Sequence, residues 1–255
     1  MKTQAFLLAV LLLIGLSLAH STSTDSTSST QKKNPTFDAA AKEEGEPTPL
    51  RPMSQQQQDH GRLYGSYTGV GKRLTDLVRE RGEDVTIATD PPLQMTQPEA
   101  DNGPHESALE SLAREADVIV TGWVKDKTSL LNAGETYIFT EHGVTIEEVL
   151  KNNALAPIRP GDTITITRAG GKVQIDGRTV TAIQAAMKPI RVGSQYLFFL
   201  KSIPTSDAYQ SISPFEVKGD KIIALDTQLP NFQRERQAQK VLNAVRKAGK
   251  GSNDK

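Results

Sequence analysis

Cysteine is absent from the 255 residues, and that absence alone closes several routes. A disulfide scaffold, a thiol nucleophile, a thiolate metal site and lipobox acylation are all excluded. Net charge is missing too, with 30 basic side chains against 30 acidic ones. A nucleic-acid binder draws its affinity from a basic excess, so no nucleic-acid partner is expected. Apolar residues are scarce, at 36% of the chain with 5% aromatic, where globular domains carry about 45 to 50% when Gly is counted. Part of the chain is therefore expected to lie outside any core.

Chemistry is thin as well. There are four histidines, His20, His60, His105 and His142, and none stands at metal-ligand spacing, so neither a metal nor a zinc protease is expected. The chain has no G-x-S-x-G. The segment from Gly65 to Arg73 departs from a phosphate loop at Ser66 and Arg73 and follows no strand, so it reads as a Gly-rich linker. Glu147 and Glu148 are neighbours on a strand and point to opposite faces, which prevents them from sharing a substrate. No catalytic residue, metal or cofactor is assigned, and a non-enzymatic protein is expected.

What is present begins with an address. Met1-Lys2 precedes an apolar run over 5–16, and Ser17-Leu18-Ala19 supplies the small residues of a cleavage site. This is the layout of a secretory signal peptide over 1–19, with Ala19 or Ser21 the last residue removed. The run is too short to span a bilayer, so no stable transmembrane segment is expected after cleavage. Secretion without cysteine points to a bacterial envelope, periplasm or medium and away from ATP-dependent chemistry. Residues 20–104 then form a mostly disordered polar linker, poor in apolar groups from Ser21 to about Gly61. Within it, Leu74, Leu77 and Val78 are spaced for a short helix ending at Gly82, and Val85-Thr86-Ile87-Ala88 for a strand, but no domain is assigned there.

The folded part is expected over 105–227. Ser107-x-x-Glu110 has capping-box spacing, and Leu109, Leu112, Ala113 and Ala116 form one apolar stripe of a short helix. The period then changes to that of strands over 118–124, 136–150, 163–168, 196–200 and 222–225, separated by Gly, Pro, Asp and Asn. Asp176-Gly177 and Gly219-Asp220 mark two hairpins, and Pro160-Gly161-Asp162 a turn. Such a run of short strands with one flanking helix describes a mainly β fold, a small closed or nearly closed barrel. Residues 228–255 carry seven Lys/Arg against Glu235 and Asp254. They read as a basic amphipathic C-terminal helix and tail, with Val241, Leu242 and Val245 facing the barrel and Arg236, Lys240 and Lys247 facing water. A helix lying on an anionic surface is the competing reading.

Four side chains are candidates for binding. Trp123, the chain's one tryptophan, has the parity of Ile119 and Thr121. It either packs beneath the flanking helix, the expectation for a large aromatic, or stands outward as a stacking platform. Arg168 shares the inward parity of Ile164 and Ile166 at a strand end; it either lines the barrel mouth to hold an anion or points into water. Tyr137 and Phe139 depend on Gly143. If His142-Gly143 is a β-bulge, which a glycine within a strand commonly marks, both rings join the core. If the alternation is unbroken, they form an outward aromatic pair.

The series Ala116-Asp117-Val118-Ile119-Val120-Thr121-Gly122-Trp123-Val124, Glu147-Glu148-Val149-Leu150-Lys151, Pro160-Gly161-Asp162, Gly170-Gly171 and Val192-Gly193-Ser194-Gln195-Tyr196-Leu197-Phe198-Phe199-Leu200 resembles a family of bacterial secreted domains. Those domains are similar to the OB-like barrel of the TIMP-like and netrin-like superfamily. The resemblance covers about residues 107–226 and implies an OB-like barrel whose order of elements says little about activity. Metalloproteinase inhibitors of that superfamily bind through a cysteine at the mature N-terminus, which this chain lacks, so their mechanism does not carry over. The expectation is a secreted binding or adaptor module whose partner is an extracellular protein or envelope polymer. The alternatives are a regulator of extracellular proteases, resting on fold analogy, and an envelope-associated hydrolase.

Overall fold

The computed structural model describes residues 44–65, 71–89, 108–184, 187–204, 206–226 and 236–250. The expected signal peptide, the first part of the polar linker and Ser107 lie outside them. Strand β1 (Thr48–Pro49) leads to helix α1 (Gln55–Arg62). The helix begins in a capping box in which Ser54 Oγ accepts the Gln57 amide and Gln57 Oε1 accepts the Ser54 amide, both at 3.2 Å. Helix α2 (Leu74–Arg81) ends at Gly82, whose φ of 63° lets its amide reach Val78 O at 2.8 Å. Strand β2 (Val85–Thr89) and helix α3 (Ala108–Glu115) follow. Helices α2 and α3 and strand β2 fall where the apolar spacing placed them, and Leu109, Leu112, Ala113 and Ala116 are all buried.

Nine further strands and one helix complete the described chain: β3 (Val118–Leu131), β4 (Ile138–Lys151), β5 (Thr163–Ala169), β6 (Gly171–Ile175), β7 (Arg178–Gln184), β8 (Gln195–Ser202), β9 (Tyr209–Lys218), β10 (Lys221–Ala224), β11 (Arg236–Gln237) and α4 (Ala238–Lys250). The Asp176-Gly177 turn holds both central residues at positive φ, 48° and 77°, which is the geometry that matches strand twist in a two-residue hairpin. In the β3–β4 turn, Asn132 Oδ1 accepts the amides of Thr136 and Tyr137, at 2.8 and 3.1 Å. Its Nδ2 donates to Tyr64 O at 3.1 Å, tying the turn to the preceding chain.

The fold is mainly β, with a closed five-stranded barrel. Around it the order is β3, β4, β5, β9, β8 and back to β3. Every pairing is antiparallel except β5 with β9, which is parallel and rests on Ile166 opposite Tyr209 and Thr167 opposite Gln210. A second sheet, β1-β6-β7-β2, is built on the β6–β7 hairpin, with β1 and β2 added parallel at its edges.

Alternation along these strands divides the apolar residues into three clusters. Val118, Val120, Val144, Ile164, Ile166, Tyr196 and Phe198 fill the barrel. Ile119, Leu197, Phe199 and Phe215 face outward and are covered by α3 and α4, whose Val241 and Val245 are buried. Leu242 is partly buried against the same cluster, while Lys240 and Lys247 are exposed. Docking of α4 is thus the arrangement seen, and the Arg246 guanidinium secures it on Glu148, 2.8 and 2.9 Å from its two oxygens. The third cluster joins Tyr64, Leu74, Leu77, Val78, Val85 and Ile87 to the second sheet and to the tip of the β3–β4 hairpin.

That third cluster differs from the expected linker. Residues 44–65 and 71–89 hold regular structure and bury apolar groups. Composition alone misses this because few side chains are involved. Those few are spaced for helix and strand, and they meet an apolar surface supplied by the tip of the β3–β4 hairpin and by β6 and β7.

The expected bulge at His142-Gly143 is also replaced. Pairing of β4 with β5 runs unbroken from Phe139 opposite Ala169 to Thr145 opposite Thr163. The irregularities lie in the β3–β4 pairing: beside Gly143, β3 passes from Val124 to Asp126 while β4 moves one residue, leaving Lys125 over, and two further shifts leave Glu147 and Leu150 over on β4. Tyr137 and Phe139 therefore keep outward parity, yet both are fully buried. Tyr64 stacks on Phe139 with ring centroids 5.3 Å apart and planes 13° apart. Burial comes from a covering layer, not from a change of face.

Candidate functional site

Trp123 stands outward on β3, 41% exposed. The cover expected from the flanking helix does not reach it, because α3 packs over Ile119, four residues earlier on the strand. Cross-strand pairing sets Trp123 opposite Thr145 of β4 on one side and Gln195 of β8 on the other, and Thr145 in turn opposite Thr163 of β5. Directly opposed residues share a face, so Thr163, Thr145, Trp123 and Gln195 form one outward row across four strands, about 14 Å wide at strand spacing. The two hydroxyls are 3.4 Å apart. Gln195 Nε2 donates to Glu147 Oε2, so the amide and an exposed carboxylate border the ring as one polar pair. In the turn before β8, Val192 is 48% exposed. That turn is held to β3 by the Gly193 amide on Val124 O at 2.8 Å and the Val124 amide on Ser194 O at 3.0 Å. The row is thus carried on paired strands and bears an apolar face with hydroxyl, amide and carboxylate groups around it.

The other sequence candidates do not join it. Tyr137 and Phe139 are enclosed beneath Tyr64 and offer no ring to a ligand. Arg168 points inward as its parity requires, but neither lines an open mouth nor reaches water: it is 7% exposed, and its Nη1 donates to Lys188 O at 2.6 Å. Burial lowers its pKa, opposed by the charges of Glu44, Tyr196 and Asp226 among others. His142 shares the interior. Burial first, then the positive charges of Arg168 and Lys127, push its pKa down to about 3, and its Nδ1 has no hydrogen-bond partner. A cleft of about 100 Å³ between Lys188, Arg191, Glu216, Lys218 and Leu225 is well below the roughly 300 to 1,000 Å³ of small-molecule sites.

One constellation escaped the sequence reading. His60, placed there in the polar linker, is 2% exposed. Its Nδ1 lies 2.6 Å from Glu141 Oε1 and its Nε2 2.7 Å from Ser206 Oγ. The three residues come from α1, β4 and the loop between β8 and β9, so no spacing in the sequence announces them. The capping box Ser54-x-x-Gln57 at the head of α1 was the local signal that this stretch is ordered.

No protein-family model matches the chain, and no curated protein matches it in sequence. Among the described residues, no helix is long and apolar enough to cross a membrane.

Proposed function

We propose that the chain is a secreted or periplasmic binding module on an OB-like barrel, and that the Trp123 row takes an extended glycan of the cell envelope. The strand order supports the OB-like reading. Numbered along the chain, the barrel runs first, second, third, fifth, fourth and back to first, with its parallel pair between third and fifth, as in the Greek-key OB barrel. A helix before the first strand and a helix after the last, in contact with each other on the barrel wall, accord with the TIMP-like resemblance. The apolar run over 5–16 supports export.

The observation that carries the ligand reading is the exposed ring of Trp123 within a row of hydroxyl and amide groups. A flat aromatic face suits the apolar C–H face of a sugar ring, and groups that both donate and accept suit its hydroxyls. OB barrels bind oligosaccharides and oligonucleotides over the face of their second and third strands, which here supply Thr145 and Thr163 to the row, and the neutral chain lacks the charge for oligonucleotides. The row holds a lone carboxylate already bonded to Gln195, so binding there involves no acid/base pair.

Intrinsic fluorescence tests the reading directly, because Trp123 is the only indole. Titration with fragments of envelope polysaccharides should shift its emission saturably, and Trp123→Ala, whose binding is read by calorimetry, should weaken affinity about tenfold or more with melting unchanged. Saturable binding of extended peptides instead, with glycans silent, would move the assignment to a protein partner. Glycan affinity equal in Trp123→Ala and wild type would overturn it.

A further inference from the structure

The far end of β8 carries an arrangement that the binding reading neither uses nor requires. His60 is enclosed between Glu141, whose side chain is 12% exposed, and the half-buried Ser206. Glu141 is held on its other oxygen by Gln57 Nε2 at 2.8 Å. Gln57 is itself fixed by the capping box, and Gln56 on the same helix donates to Asp207, next to the serine. Each member of the group is therefore positioned by a neighbour.

The direction of the hydrogen bonds follows from donor capacity. A carboxylate has no proton to give, so His60 Nδ1 carries the hydrogen it shares with Glu141. Neutral imidazole then leaves Nε2 as a lone pair, and Ser206 O–H must donate to it. Ser206 Oγ also accepts the Ala208 amide at 3.0 Å, a backbone donor that favours developing negative charge on that oxygen. The serine proton thus already points at a base, and the base is held in the required tautomer by a carboxylate. These are the relations that define a serine–histidine–acid triad on any fold.

We infer that Ser206, His60 and Glu141 form a nucleophilic triad that cleaves carboxylic esters presented at the protein surface. Ser206 Oγ attacks the ester carbonyl carbon while its proton passes to His60 Nε2. The bond from carbon to the alcohol oxygen breaks, and the leaving alkoxide takes that proton and departs as alcohol, leaving an acyl ester on Ser206. Water then attacks the acyl carbon and gives a proton to Nε2. The bond to Ser206 Oγ breaks, the oxygen regains its proton and the carboxylic acid leaves. Water is the only co-reactant, and nothing is oxidised or reduced. Glu141 orients the ring and stabilises the imidazolium without taking the proton.

The same contacts also fasten α1 to the barrel, and an alkyl fluorophosphonate separates fastening from chemistry. In the folded wild-type protein, Ser206 should displace fluoride and gain the phosphonyl mass while other serines remain unmodified. With p-nitrophenyl acetate, about one equivalent of p-nitrophenol should be released in a burst. Ser206→Ala should lose both signals while remaining folded, and Glu141→Gln, which no longer fixes the tautomer, should slow labelling on the order of 10³- to 10⁴-fold. Wild-type protein that stays unlabelled at millimolar probe, labels Ser206 no faster than other serines, or labels equally with Glu141→Gln would overturn the inference. The wild-type experiment is decisive even if a variant fails to fold.

Discussion

Replacing Gly171 by alanine should be among the costliest single-methyl additions to this protein, and replacing Gly143 among the cheaper ones. Gly171 opens β6 at a φ of 136°, a backbone state that side-chain-bearing residues hold at a cost of about 1 to 3 kcal/mol. A Cβ there would stand 2.2 Å from Thr140 Oγ1 and 2.6 Å from Ser129 Oγ. Those hydroxyls are buried and bonded to each other at 2.9 Å; Thr140 Oγ1 also donates to Gly170 O at 2.7 Å, and Ser129 Oγ accepts the Lys172 amide at 3.2 Å. Displacing them leaves buried groups unsatisfied at about 1 to 3 kcal/mol each. Strain and one lost contact together give a loss of about 2 to 6 kcal/mol, a urea midpoint shift on the order of 2 M. Gly143 has no positive φ, and the nearest atoms to its added Cβ would be those of the Asp126 carboxylate, an exposed residue that can turn aside. That change should cost less than about 1 kcal/mol. Urea unfolding of the two alanine variants measures the contrast. Equal losses, or a loss at Gly171 below about 1 kcal/mol, would refute it.

His142 should make the protein acid-sensitive. Its pKa falls from 6.5 to about 3 in the folded state, so the unfolded chain binds the extra proton as the medium acidifies. Its contribution is complete above pH 6.5 and is lost as pH falls toward 3, on the order of 5 kcal/mol across that window. His142→Gln should flatten the stability–pH curve between pH 6.5 and 3 relative to wild type; parallel curves would sink the argument. Limited proteolysis should leave a core that retains the chain from Thr48 onward, because α1, α2 and β2 are packed. A resistant fragment starting beyond residue 89 would contradict that packing.

Barrel strands β3, β4, β5 and β8, the two hairpin turns, the stripe of α3 and the docking face of α4 were legible because each depends on local period or turn chemistry; of β9 only the arm beside the Gly219-Asp220 turn was. Trp123 was located in parity but not in exposure, since parity cannot say how far a covering helix extends. Tyr137 and Phe139 were posed as a choice between bulge and exposure. The answer lay in a third layer, contributed by Tyr64, that no property of residues 136–150 encodes. His60, Glu141 and Ser206 were illegible for the same reason: 81 residues separate the first two and 146 the outer pair, and only the packing of α1 on the closed barrel brings them together.

The β3–β4 hairpin has a consequence for how the molecule comes apart. Its residues enter all three apolar clusters: Val118, Val120, Val144 and Ile146 inside the barrel, Ile119 under the helices, and Leu130, Leu131, Tyr137 and Phe139 beneath the second sheet. An element shared in this way cannot release one cluster and keep the others intact, so the layers should melt as one cooperative unit rather than as separable modules. A perturbation at any of them, including a ligand stacked on Trp123 halfway along the same strand, is then felt as a change in the stability of the whole.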